Sequence, residues 1–241
     1  MSYGTLAGQR HGAVQVISLV SEDGLNCYTP EMGEDLVAAL RAAAQDDEIA
    51  AIVLTASGRA FCAGAHRSVL SGGVGPAGLR IGEEEFIASF APEFAAIPKL
   101  TIAALNGSAA GIGVTMSLLC DLRLAVPGAK LRLNFAELGI MPGLGSTAIL
   151  TSLLGLSKAK KLLLCDRLIE TGEAARLGLI DEAVPADSLQ ARALELAGAA
   201  AACNGKVIAE IKACLNAAGS VDVTTALARE AAAAARLRSG A

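Results

Sequence analysis

The chain has 241 residues, of which 53% are hydrophobic, 18% charged and 3% aromatic, and its formal net charge is −4. So much apolar content excludes a disordered chain, and the length is ample for a full core. Mild acidity, two histidines and no tryptophan leave neither a basic patch nor an aromatic stacking surface, which argues against nucleic acid as a partner.

Met1 to Gly12 is polar and contains Arg10 and His11, so no secretory segment is expected and the cytoplasm is the default. Ala13 to Leu19 alternates and is rich in Val and Ile, the pattern of a strand. Thr29 or a neighbour caps a helix from Glu31 to Ala44 with Leu36, Leu40 and Ala43 on its apolar face. Ala50 to Thr55 is a continuous apolar run, the mark of a buried strand. A glycine-bearing loop and a polar stretch to Gly82 follow. Glu83-Glu84-Glu85 then fits a solvated helix start, where acidic residues favour the dipole. Phe86, Phe90 and Phe94 recur every four residues and predict a helix with an aromatic stripe.

Thr101 to Leu105 and Leu122 to Val126 predict two further strands, with a helix over Gly113 to Cys120 between them. Beyond Leu144 helical patterns dominate, ending in Ser188 to Ala202, Lys206 to Asn216 and Val223 to Arg238, with a short strand at Ile180 to Val184. The expected class is α/β: a core over residues 1–185 and a helical C-terminal region, 186–241, suited to subunit contacts.

Leu100 to Cys120 carries no charge and contains Gly107-x-x-x-Gly111, a superficial likeness to a membrane span. Turn residues interrupt it at Asn106-Gly107-Ser108 and Gly111-Ile112-Gly113, so strand, turn and helix are expected and no membrane. Cys27, Cys62, Cys120, Cys165, Cys203 and Cys214 form no C-x-x-C pair and are expected as reduced core residues. His11 and His66 stand far apart with no carboxylates at ligand spacing, so no metal site is expected. Ser108 on a sharp turn is a crude nucleophile-elbow candidate, but only His66 could serve as its base and no acid orients it.

The strongest chemical signal is a pair of strand-to-helix junctions built from small residues, Phe61-Cys62-Ala63-Gly64-Ala65-His66 and Asn106-Gly107-Ser108-Ala109-Ala110-Gly111-Ile112-Gly113. Each leaves backbone N–H groups unpaired at a positive helix end. Two such groups aimed at one point would hold a thioester oxygen and stabilise an enolate. Small residues at strand–helix junctions also serve packing alone, and spacing does not separate the two readings.

These residues resemble the crotonase superfamily of enoyl-CoA hydratases and isomerases. The resemblance runs through Ala60 to Ala65, Ala104 to Gly113 with Cys120-Asp121, Leu138-Gly139-Ile140-Met141-Pro142-Gly143-Leu144-Gly145, and Ala174 to Pro185, in that order. It implies repeated ββα units with a helical C-terminal region, a homotrimer or dimer of trimers, and an acyl-CoA thioester substrate. No cofactor is implied beyond the coenzyme A of the substrate. By position, Ala65 and Ile112 would donate the two oxyanion N–H groups, with Gly64 and Gly111 shaping the turns and the backbone around Ala63 facing the CoA adenine.

The hydratases of this family use two glutamates, and here Thr115 and Phe135 stand in their places. Neither transfers a proton as a carboxylate does, while Phe135 suits an apolar acyl pocket. His66 stands where the family usually has Asp, either as a proton carrier or as a structural substitute. Glu137 lies two residues beyond Phe135; in an extended segment both would face one side, making Glu137 either a lone base or an ordinary ion-paired glutamate. The expected activity is isomerisation, decarboxylation or atypical hydration. The competing readings are an inactive acyl-thioester-binding protein and a dehydratase or decarboxylase acting on carrier-bound acyl groups in polyketide assembly.

Overall fold

The computed structural model describes residues 3–75, 78–166 and 168–239. It opens with a hairpin, β1 (Leu6–His11) and β2 (Val14–Leu19), followed by α1 (Pro30–Gln45). Thr29 caps α1 by accepting the Met32 N–H at 3.4 Å, and Pro30 occupies the first turn, where its missing N–H costs nothing. Three strand–strand–helix units follow. The first is β3 (Ala51–Ala56), β4 (Ala60–Cys62) and the single turn α2 (Arg67–Leu70). A wide helical turn at Phe86–Phe90 and α3 (Ala91–Ala95) lead into the second, β5 (Leu100–Leu105), β6 (Ser108–Ala110) and α4 (Ile112–Ser117). The third is β7 (Leu122–Ala125), β8 (Lys130–Arg132) and the turn α5 (Phe135–Leu138).

The remainder runs α6 (Ser146–Leu154), α7 (Leu156–Lys161), β9 (Leu168–Glu170), α8 (Thr171–Leu177) and β10 (Glu182–Ala183). Helices α9 (Leu189–Ala201), α10 (Gly205–Asn216) and α11 (Val223–Ser239) complete it.

The strands separate into two sheets. The larger has the order β1-β2-β3-β5-β7-β10 and is parallel apart from the β1–β2 hairpin. The smaller, β4-β6-β8-β9, receives the second strand of each unit and is parallel from β4 to β8. This is the expected repeated ββα architecture. One face of the large sheet meets a core that includes Leu36, Leu40, Ile52, Leu54 and the Phe86–Phe90–Phe94 stripe. The other buries Val16, Val53, Ile102 and Leu124 under Leu189, Ala193 and Ala197 of α9. Strands covered on both faces become continuous apolar runs, as β3 and β5 are.

The uncharged run from Leu100 to Cys120 resolves into β5, β6 and α4. Among the described residues no helix is long and apolar enough to cross a membrane. Two expectations are corrected. Glu84, assigned to a solvated helix start, is fully buried: the Tyr28 hydroxyl donates to its Oε1 at 2.6 Å and the Gly82 N–H to its Oε2 at 2.7 Å. All six cysteines are free, but only Cys62 and Cys120 are buried, while Cys165 and Cys203 are exposed.

Candidate active site

Because β4, β6 and β8 lie side by side and parallel, their carboxyl ends open at one edge of the small sheet. The junctions that follow, Ala63–Ala65, Ala110–Ile112 and Asn134–Phe135, line a single cavity of about 460 Å³. Ile81, Gly82 and Ile87 wall it from the segment before α3, and Leu138 and Met141 from beyond α5.

The first junction is fixed by backbone bonds. Ala63 and His66 donate their N–H groups to the carbonyl oxygens of Leu25 and Tyr28, and Tyr28 donates to Gly64, all at 2.8 to 2.9 Å. Ala65 therefore stands in an extended bridge to Tyr28, and strand alternation turns its own N–H to the opposite side. That N–H has no partner among the described residues. Gly64 carries a φ of +99°, a left-handed conformation that a side chain would strain.

At the second junction Gly111 has a φ of +49°, and its N–H is taken by the Arg132 carbonyl at 2.8 Å. Ile112 follows as the first residue of α4, so its N–H is one of the orphan donors of a helix start, again without a partner among the described residues. A Cβ on Gly113 would stand 2.5 Å from the Cys62 carbonyl oxygen, so α4 can pack against β4 only with glycine there. Burial also pushes the Cys62 thiol up to about 12, which keeps it protonated and inert.

Thr115 and Phe135 both line the cavity. Thr115 is buried and turns its hydroxyl to the Ile112 carbonyl at 3.3 Å. The segment around Phe135 is a helical turn, not the extended stretch expected, because α5 begins at Phe135. Residues two apart on a helix point to different sides, so Phe135 and Glu137 do not share a face as expected. The cavity wall takes Phe135 and Leu138, whereas both oxygens of Glu137 accept from Arg132 Nη2 at 3.2 Å.

His66 is not in the wall either; its Nδ1 caps α2 by accepting the Ser68 N–H at 3.3 Å and lies 2.7 Å from the Ser68 hydroxyl. Ser108 is exposed on β6 with its hydroxyl accepting the Lys130 N–H, outside the cavity wall, which removes the nucleophile-elbow reading. Among the described residues no His, Cys, Asp or Glu cluster is placed to hold a metal ion.

A charged cavity residue escaped the sequence reading. Among the described residues, Arg132 at the end of β8 is the single charged residue lining the cavity. Its signal was its position three residues before Phe135, next to a landmark segment already recognised.

Three ββα units whose small-sheet strands end on one largely apolar cavity define a crotonase-type enzyme fold. The family model for enoyl-CoA hydratase/isomerase matches residues 9–239. A probable enoyl-CoA hydratase of Mycobacterium tuberculosis, EchA14, is 36% identical over 211 residues, covering 86% of this chain and 79% of that protein. The 1,2-epoxyphenylacetyl-CoA isomerase of Escherichia coli is 32% identical over 188 residues, covering 76% and 71%. In structure, an enoyl-CoA hydratase from Bacillus anthracis superposes with a TM-score of 0.86 at 30% identity, covering 95% of this chain and 89% of the other. The chain belongs to the enoyl-CoA hydratase/isomerase family.

Proposed function

We propose that the chain binds an acyl-CoA thioester with its carbonyl oxygen between the Ala65 and Ile112 N–H groups, and stabilises the enolate formed there. The observation that carries this reading is that two unpartnered backbone donors, from different ββα units, border the same cavity. Donors fixed by the fold need no rearrangement as negative charge develops on the oxygen, which is why such pairs are effective. Hydration by two carboxylates is set aside because Thr115 and Phe135 occupy that stretch of wall.

The reaction assigned is a one-base double-bond shift. Glu137 takes a proton from the carbon next to the thioester, the electron pair moves onto the carbonyl oxygen, and the proton returns further along the chain. Glu137 lies outside the wall and must turn from Arg132 into the cavity to do this; it is chosen because, among the described residues, it is the carboxylate paired with the lining's charged residue. Decarboxylation is the second reading, favoured because the wall contains neither carboxylate nor imidazole among the described residues. There the bond to the departing CO2 breaks, its electrons enter the enolate, and a proton is taken up at carbon. Exposed Ile211, Leu215, Val223 and Leu227 on α10 and α11 support self-association, with a trimer as the state to test by light scattering.

The test is a panel of crotonyl-, 3-enoyl- and malonyl-type CoA thioesters, with binding followed by calorimetry and turnover by absorbance. Turnover of 3-enoyl substrates with little crotonyl hydration supports the one-base reading. Ile112→Pro removes one donor at a helix position that tolerates proline, and is expected to lower kcat by about 100-fold or more. Binding without turnover of any thioester would make the chain a binding protein, and fast crotonyl hydration would sink the assignment of Glu137.

A further inference from the structure

Arg132 is the place where this cavity departs from a simple apolar acyl pocket. Its backbone is fixed: β8 pairs Arg132 with Ala110 on β6, and the Arg132 carbonyl accepts the Gly111 N–H. The side chain therefore starts from the strand beside the Gly111–Ile112 turn. Among the described residues Arg132 is the one charged residue of a lining that also includes Ile81, Phe135, Leu138 and Met141. A half-exposed cation set at the edge of an apolar lining is a ready partner for an anion that enters the cavity.

The compensation present is slight. Glu137 meets a single guanidinium nitrogen, Nη2, at 3.2 Å, and the two side chains are 50% and 45% exposed. Nε and Nη1 of Arg132 have no partner among the described residues. A guanidinium presents a fork that matches a carboxylate with two parallel hydrogen bonds, and this fork is unfilled. A half-exposed pair of this kind exchanges readily for a better-placed anion.

We propose that Arg132 anchors a carboxylate on the acyl group, so that the substrate is a short dicarboxylic acyl thioester. The inference rests on the reading that places the thioester oxygen at Ala65 and Ile112, since that placement sets the thioester beside the turn that the Arg132 carbonyl holds. The incoming carboxylate takes the open fork and displaces Glu137 from Nη2. The other anion a CoA thioester brings is phosphate, and the experiment separates the two sources.

Calorimetry with succinyl-CoA, butyryl-CoA and free CoA, on the full chain and on Arg132→Gln, reads the anchor directly. The expected result is at least tenfold weaker succinyl-CoA binding in Arg132→Gln, with butyryl-CoA and free CoA unchanged. Equal weakening for all three would assign Arg132 to the phosphates and overturn the proposal. Equal binding of succinyl-CoA by both proteins would overturn it as well, while leaving the thioester reading intact. No binding of any thioester by the unmodified chain would overturn the thioester reading and the anchor together. Glu137→Gln provides the opposite sign: with the competing carboxylate gone, succinyl-CoA should bind more tightly than to the unmodified chain, and looser binding counts against the proposal.

Discussion

Lys212 on α10 and Asp121 just before β7, 91 positions apart in the chain, meet in a 2.7 Å ion pair. Asp121 Oδ2 also accepts from the Thr101 N–H and hydroxyl, while Lys212 donates a second bond to the Lys99 carbonyl. The pair pins a C-terminal helix to the amino-terminal ends of β5 and β7. Removing one partner of a fully buried pair costs about 3–5 kcal/mol. The 23% exposure of the Asp121 side chain lets water compensate in part, so Lys212→Met is expected to cost roughly 1–3 kcal/mol. Urea unfolding measures this, and an unchanged midpoint would show that α10 is held by apolar contact alone.

Tyr28 and Glu84 make a second long-range tie, this one at the cavity. The hydroxyl is held well above the usual phenol range, first by burial and then by its hydrogen bond to Glu84. Tyr28→Phe leaves Glu84 buried with one donor fewer, at an expected cost of about 1–3 kcal/mol. Because Glu84 also accepts the Gly82 N–H, the wall formed by Ile81 and Gly82 should loosen too. A raised KM for the best thioester, with kcat little changed, is the kinetic outcome to look for.

Gly113→Ala tests the junction that carries Ile112. The added methyl meets the carbonyl oxygen and, at 2.7 Å, the Cβ of Cys62, so α4 must shift away from β4. Overpacking of this kind costs about 1–3 kcal/mol. Here the larger effect is expected in turnover, because the shift moves the Ile112 donor. Circular dichroism showing an intact fold alongside a loss of activity would locate the damage at the site.

Cys62 and Cys120 give a pH-dependent prediction. Burial raises both thiols from 9.0 to about 12, so between those values the unfolded chain has released protons that the folded chain retains. Fewer protons bound in the unfolded state means that stability falls as pH rises. The contribution of the two thiols should therefore be constant below about pH 9 and decline above it, and Cys120→Ala should flatten the alkaline slope. At pH 8, iodoacetamide should label exposed Cys165 and Cys203 well before either buried thiol.

The large sheet was legible because β2, β3, β5 and β7 carry apolar runs that periodicity detects. The small sheet was not: β4, β6 and β8 are three residues each, too short for any period to register. β1 was missed because only Leu6 is buried in it, leaving an edge strand with little hydrophobic signal. The glycine-rich junctions stood out, since left-handed backbone at Gly64 and Gly111 forces the residue type. The burial of Glu84 could not be inferred locally, for its partner lies 56 residues away. Glu137 was harder still, because a helical turn in place of an extended segment turns it away from the side that Phe135 faces.

The two proposed donors belong to the main chain, and that has a consequence for how this scaffold changes over time. Any of nineteen side chains at positions 65 or 112 would still present an N–H, and only proline would abolish one. Acids enjoy no such protection, for almost any replacement of a carboxylate side chain removes its proton chemistry. On this scaffold the proposed grip on a thioester would therefore outlast a change in the acids around it.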